Sequence, residues 1–157
     1  MEFVLVYSLL LLPMTMILIF TAQMLWVWNS VIEFTREGAR YGATHCWQAG
    51  GENVQTYMKA NIPAMVDMEQ FQNGEAEIVV EYLMRDPDSG NLAEFSCDGS
   101  ECSTECVPDA VSVKVQNYEF RKLFSYFGLA GVSIPPFQTV VPIESAGCDP
   151  EQGTCLP

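Results

Sequence analysis

Six cysteines carry most of the chemistry available to this 157-residue chain: Cys46, Cys97, Cys102, Cys106, Cys148 and Cys155. An even number of thiols in a small domain points to disulfides formed in an oxidising compartment. A structural zinc site is the rival, but the chain has no CxxC, and Cys97-x4-Cys102-x3-Cys106 lacks a second ligand pair at finger spacing. Six cysteines allow fifteen complete pairings. Cys148 and Cys155 flank the turn-forming DPEQGT and are expected to close a small ring, while Cys46 is expected to tie the preceding helix to the Cys97–Cys106 loop. The single histidine, His45, precedes Cys46 instead of following a CxxC, so it makes no haem-attachment motif and reads as a solvated residue at a helix end. Asp86, Asp88 and Asn91 begin like a calcium loop, but the twelfth position falls on Cys97 where a bidentate glutamate is required, so the segment reads as a hairpin turn. With no GxSxG and no Gly-rich phosphate loop the chain offers no catalytic constellation, and neither cofactor nor metal is expected.

The element that would position these cysteines begins at Glu2, a carboxylate at the edge of a run with no other charge. Thirty residues, Phe3 to Ile32, separate Glu2 from Glu33 without Asp, Glu, Lys, Arg or His. As a helix they extend about 45 Å, more than the roughly 30 Å of a hydrocarbon core. Between Phe3 and Val27 stand fourteen Leu, Ile, Val and Phe residues, whose insertion is worth on the order of −6 kcal/mol together. A signal peptide needs a basic flank and a short apolar core before a cleavage site. Neither is present, so residues 1–45 read as an uncleaved transmembrane and stalk helix. Pro13 removes one helical hydrogen bond and is expected to kink it.

Past the apolar run, Glu33, Arg36, Glu37 and Arg40 gather on one side of the helix, and Val31, Phe34, Gly38 and Gly42 on another. The first set forms i,i+3 pairs on a solvated face. Gly38 and Gly42 allow close backbone approach, either by the protein's own sheet or by a neighbouring subunit's helix. The motif lies outside the apolar core, which favours the intramolecular contact.

Residues 46–157 hold seventeen of the acidic residues against five basic ones, within a net charge of −13. Such a surface repels nucleic acid and anionic lipid, so no nucleic-acid partner is expected. Gly50 and Gly51 end the helix, residues 53–71 suggest one or two short helices, and Asn73-Gly74 a turn. AEIVVEYLM alternates as a half-buried strand, RDPDSGN turns into LAEFS, and AVSVKVQNYEF returns with Val111, Val113 and Val115 on one face. RKLFSYFGLAG suggests a helix lying on the sheet, and QTVVPIE a final edge strand, since Pro142 cannot donate to a ladder. Segregated helices and antiparallel strands make the exposed part α+β.

In this order the pieces resemble the TadE-like pseudopilins, accessory pilin-like proteins of the Tad branch of type IV pilus systems. The carriers are EFVL with the long apolar run, EFTREGARYGA as the helix continuation, and AVSVKVQNYEF, RKLFSYFGL and QTVVPIES as closing strand, helix and strand. The resemblance covers nearly the whole chain and implies a non-enzymatic assembly component, membrane-anchored with its globular part extracytoplasmic or carried in an extracellular filament, and with other pilin or pseudopilin subunits and membrane lipid as partners of its helix. It also implies a role for Glu2, because pilin-like proteins keep a glutamate near the start of this helix, where it meets a neighbour's amino terminus and sets register. A glutamate snorkelling to water at the interface is the alternative reading. Pilin helices often contain a proline like Pro13. The family's precursors carry a basic leader and several residues before the glutamate, whereas only Met1 precedes Glu2 here. A homopolymer built from this chain as main subunit is the alternative, disfavoured because main Tad pilins are much shorter.

Overall fold

The computed structural model describes residues 2–97, 106–121, 124, 128, 130–143, 147–149, 151 and 154–155. A single helical rod opens the chain: α1 (Glu2–Val6), a π-helical turn (Tyr7–Leu11) and α2 (Leu12–Thr44) run without a break. The π turn ends two residues before Pro13. The ring of Pro13 cannot donate to Leu9 and would strike its carbonyl, and the wider turn accommodates both. A 3-10 turn (Trp47–Ala49), α3 (Glu52–Ala60) and α4 (Met68–Gln72) follow. Gly50 and Gly51 break the helix as expected, both with positive φ. The Asp67 side chain caps α4 by accepting from the Glu69 amide.

The main sheet contains β1 (Glu77–Arg85), β2 (Leu92–Glu94), β3 (Ala110–Gln116) and β6 (Phe137–Pro142) in the antiparallel order β2-β1-β3-β6. The expected hairpin and the final edge strand are both present. β4 (Glu119–Phe120) pairs with β5 (Val132–Ser133), and β7 (Cys148–Asp149) with β8 (Thr154–Cys155). The segment AVSVKVQNYEF is two strands and not one. Asn117 takes a left-handed φ of 59°, a conformation that asparagine tolerates better than most residues, and the chain leaves the main sheet there for β4. Most of the helix expected over RKLFSYFGLAG, and all of the polar loop of residues 98–105, lie outside the described residues.

Period-2 patterning places Ile78 and Tyr82 of β1 and Val111, Val113 and Val115 of β3 on one face, all buried. Against them lies the second half of the long helix, which buries Val27, Val31, Phe34, Thr35, Gly38, Ala39 and Gly42, with α3 alongside supplying Val54 and Met58. The stalk is therefore part of the domain's own core. The opposite sheet face carries polar pairs beside Val79, Leu83 and Val140: Lys114 pairs with Glu81 at 2.5 Å, and Gln138 Nε2 donates to Ser112 Oγ at 3.1 Å. The whole is an α+β protein with one long N-terminal helix, an antiparallel sheet, short helices and disulfides.

Candidate membrane anchor and its seat in the domain

The long helix has two halves of opposite character. From Phe3 to Ile19 every residue is exposed, including Phe3, Leu9 and Ile17 at 83%, 80% and 64%. Soluble surfaces do not normally present so long an apolar stretch. The helix Phe3–Thr44, with a mean hydropathy of 2.5 over its most apolar window, is long and apolar enough to cross a membrane. Its threonine hydroxyls are satisfied within the helix: Thr15 Oγ1 donates to the Leu12 carbonyl and Thr21 Oγ1 to the Ile17 carbonyl, each at 2.8 Å. They leave no bare donor towards lipid.

The domain grips the other half through a ladder of contacts. Gly42 faces Val111 of β3 and Val54 of α3, and Gly38 faces Met58 of α3. Thr35 Oγ1 shares a hydrogen bond with Thr139 Oγ1 of β6 at 2.9 Å. Phe34 meets Phe71 edge-on at 5.9 Å, Trp28 meets Phe137 at 4.7 Å, and Phe20 stacks on Phe124 at 6.4 Å. From Gly42 to Phe20 the ladder covers about 33 Å of helix. Gly38 and Gly42 thus serve the protein's own packing, the intramolecular alternative of the two their spacing allowed.

On the solvated side, Arg36 Nη1 binds Glu33 Oε1 at 2.7 Å. The expected Glu37–Arg40 pair is not formed. Glu37 instead accepts from the Tyr57 hydroxyl at 3.0 Å, and that bond, ahead of desolvation, raises the phenol's pKa. Tyr57 also stacks on Tyr41, and Tyr41 on His45. His45 is half-buried and not simply solvated, with Nδ1 2.9 Å from the Tyr41 carbonyl at the helix end.

Disulfides close the far end. Cys46 is joined to Cys155 and Cys97 to Cys106, so the expected Cys148–Cys155 ring and the expected tie from Cys46 to the Cys97–Cys106 loop are both corrected. Cys148 is disulfide-bonded, and Cys102 lies outside the described residues. The β7–β8 register sets Cys148 opposite Cys155 as backbone neighbours, while the Cys155 sulfur reaches across to the helix end. Gly147 makes room for this: its φ is +67°, and a Cβ there would stand 2.8 Å from the His45 carbonyl carbon.

Glu2 opens the helix, but its side chain lies outside the described part. Among the described residues no group of three or more His, Cys, Asp or Glu is placed to hold a metal. Asp86 is spent on its own turn, accepting from the Ser89 hydroxyl at 2.7 Å and the Asp88 amide at 2.9 Å. The Ser89 bond is the larger cause of its lowered pKa. The sequence pattern did not single out Thr35, Phe20 or Phe124. Phe20 and Met24 do continue the buried stripe of Val27 and Val31 at helical spacing, the one signal that could have pointed to them.

These features define a class: a bare apolar helix continuous with the core helix of a disulfide-tied α+β domain. No protein-family model, curated protein or solved structure matches the chain.

Proposed function

We propose that the chain is a TadE-like pseudopilin: a non-enzymatic assembly component of a Tad-type pilus or related filament, inserted through its N-terminal helix with residues 46–157 outside the cytoplasm. The observation that carries this reading is the division of one unbroken helix into a fully exposed apolar half, Phe3–Ile19, and a half buried in the domain. That arrangement lets one element serve first as anchor and then as the packing element of a filament while the domain stays folded. The cysteine pairing supports the outward placement, because disulfides persist in oxidising compartments. The acidic domain surface suits solution outside the membrane and disfavours anionic headgroups.

In this reading Glu2 acts on assembly and not on folding, since it stands at the opposite end of the helix from the domain. Replacing it with Gln keeps the shape and removes the charge. An ion pair desolvated at the membrane edge contributes a few kcal/mol, and one reached by water roughly nothing. The test counts surface filaments and co-purifying pilin subunits in cells making Glu2→Gln at normal level, with the domain's disulfides intact. Filament number and co-purification should both fall. Wild-type values for both would refute the role of Glu2 in register, and protease added to spheroplasts that fails to trim the domain would refute the topology.

A further inference from the structure

We propose that the domain is seated directly on the bilayer surface, with Phe124 and the paired strands β4 and β5 in the zwitterionic lipid interface. This rests on the membrane reading above and adds a second contact to it.

The contact ladder orders the domain by height along the helix. β3 runs from Val111, opposite Gly42, to Val115, whose ladder partner Phe137 meets Trp28. It therefore descends towards the apolar half. Lower on the helix the ring of Phe124 links β4 to the apolar half, packing on Phe120 at 5.7 Å and on Phe20 at 6.4 Å. Twenty residues from Phe3 to Ala22 fill a hydrocarbon core of roughly 30 Å. Phe20 falls inside that stretch, so Phe124 stands at the lipid boundary. Trp26, 61% exposed, lies about 6 Å above Ala22 along the axis, at the depth where tryptophan is enriched at membrane interfaces. Val132, the β5 partner of Phe120, is 38% exposed at the same end.

Charge assigns the kind of lipid. Arg121 is engaged by Glu75 and by Glu119, so its guanidinium is not offered to an anionic headgroup. Among the described residues the contact is made by the apolar Phe120, Phe124 and Val132, and it is continuous with the anchor. A domain held by its core helix at this height leaves no room for a free stalk between bilayer and sheet.

The test places photoreactive benzoylphenylalanine singly at positions 10, 92, 124 and 132 of the full chain in phosphatidylcholine vesicles. Position 92 is the control, because Leu92 is 45% exposed but pairs with Arg85 at the opposite end of the sheet. Lipid adducts at 10, 124 and 132, with none at 92, are expected. Adducts at 10 but not at 124 or 132, or crosslinks from 124 only to the protein's own helix, would overturn the seat while leaving the anchor standing. No adduct at 10 would overturn the anchor itself. If substitution at 124 prevents folding, position 132 on its exposed side chain decides alone. Adding phosphatidylglycerol should leave the yields unchanged, and adducts that appear only with it would overturn the zwitterionic assignment.

Discussion

Replacing Gly42 measures whether the helix is set into its own sheet. A Cβ at this position would stand 3.2 Å from a methyl of Val111 and 3.2 Å from one of Val54. Both valines are fully buried, and β-branched side chains are stiff at χ1, so neither rotates away easily. Gly42→Ala gains about 1 kcal/mol of helix propensity and loses about 1–3 kcal/mol to overpacking, leaving a net loss of at most about 2 kcal/mol. Gly42→Leu keeps a similar propensity gain but adds three further carbons where there is no room. Its net loss should reach about 2 kcal/mol or more, a factor of about 30 in the folded-to-unfolded ratio. Gly38→Ala is the internal control. The atoms it would meet belong to the flexible end of Met58, which re-packs readily, so this variant should match or exceed the wild type. The assay is urea unfolding of the full chain in non-ionic detergent, followed by near-ultraviolet circular dichroism. Stability should fall in the order Gly38→Ala, wild type, Gly42→Ala, Gly42→Leu. If Gly42→Leu unfolds at the wild-type midpoint with native disulfides, the helix is not seated on β3. If it then also loses contact with other subunits, the two glycines belong to an intersubunit face.

Three further outcomes follow from the same structure. Cys155→Ser removes a crosslink spanning 109 residues of chain and should cost about 2–5 kcal/mol, read as a lowered urea midpoint, with Cys97–Cys106 still closed in non-reducing peptide maps. Burial pushes the Tyr82 phenol up to about 12. Between the ordinary tyrosine pKa of about 10 and that value the unfolded chain loses its proton first, so stability is full below pH 10 and falls as pH rises towards 12, which unfolding curves across that range would show. Pro13→Ala should let Tyr7–Leu11 close into an ordinary α-helical ladder, slowing hydrogen exchange of those amides in micelles while the domain's midpoint stays unchanged.

Much of the fold was legible because its signals are local. Thirty uncharged residues announce the helix, and alternation in AEIVVEYLM and AVSVKV announces β1 and β3. Pro142 placed β6 at the edge, where it lies. What could not be read depends on distance in space. The turn-forming DPEQGT argued for a local Cys148–Cys155 ring, but the sulfur partner of Cys155 is Cys46, which only the folded chain brings near. Asn117 ends β3 without glycine or proline to announce it. Glu37 lies at ideal spacing from Arg40, yet Tyr57 from another helix takes its carboxylate. The small residues at 38 and 42 announce a close approach, and their position outside the apolar run favours the protein's own domain, but spacing alone does not name Met58, Val54 and Val111 as the side chains they meet.

The central claim, that this chain serves filament assembly through its N-terminal helix, is tested most directly by deleting its coding sequence and counting surface filaments by electron microscopy. Restoration is attempted with the intact chain and with a version whose residues 3–22 are exchanged for a cleavable signal, so that the domain is exported without its anchor. The account predicts that filaments are lost on deletion, return with the intact chain, and do not return with the anchorless domain. Filaments at wild-type number in the deletion strain would contradict it.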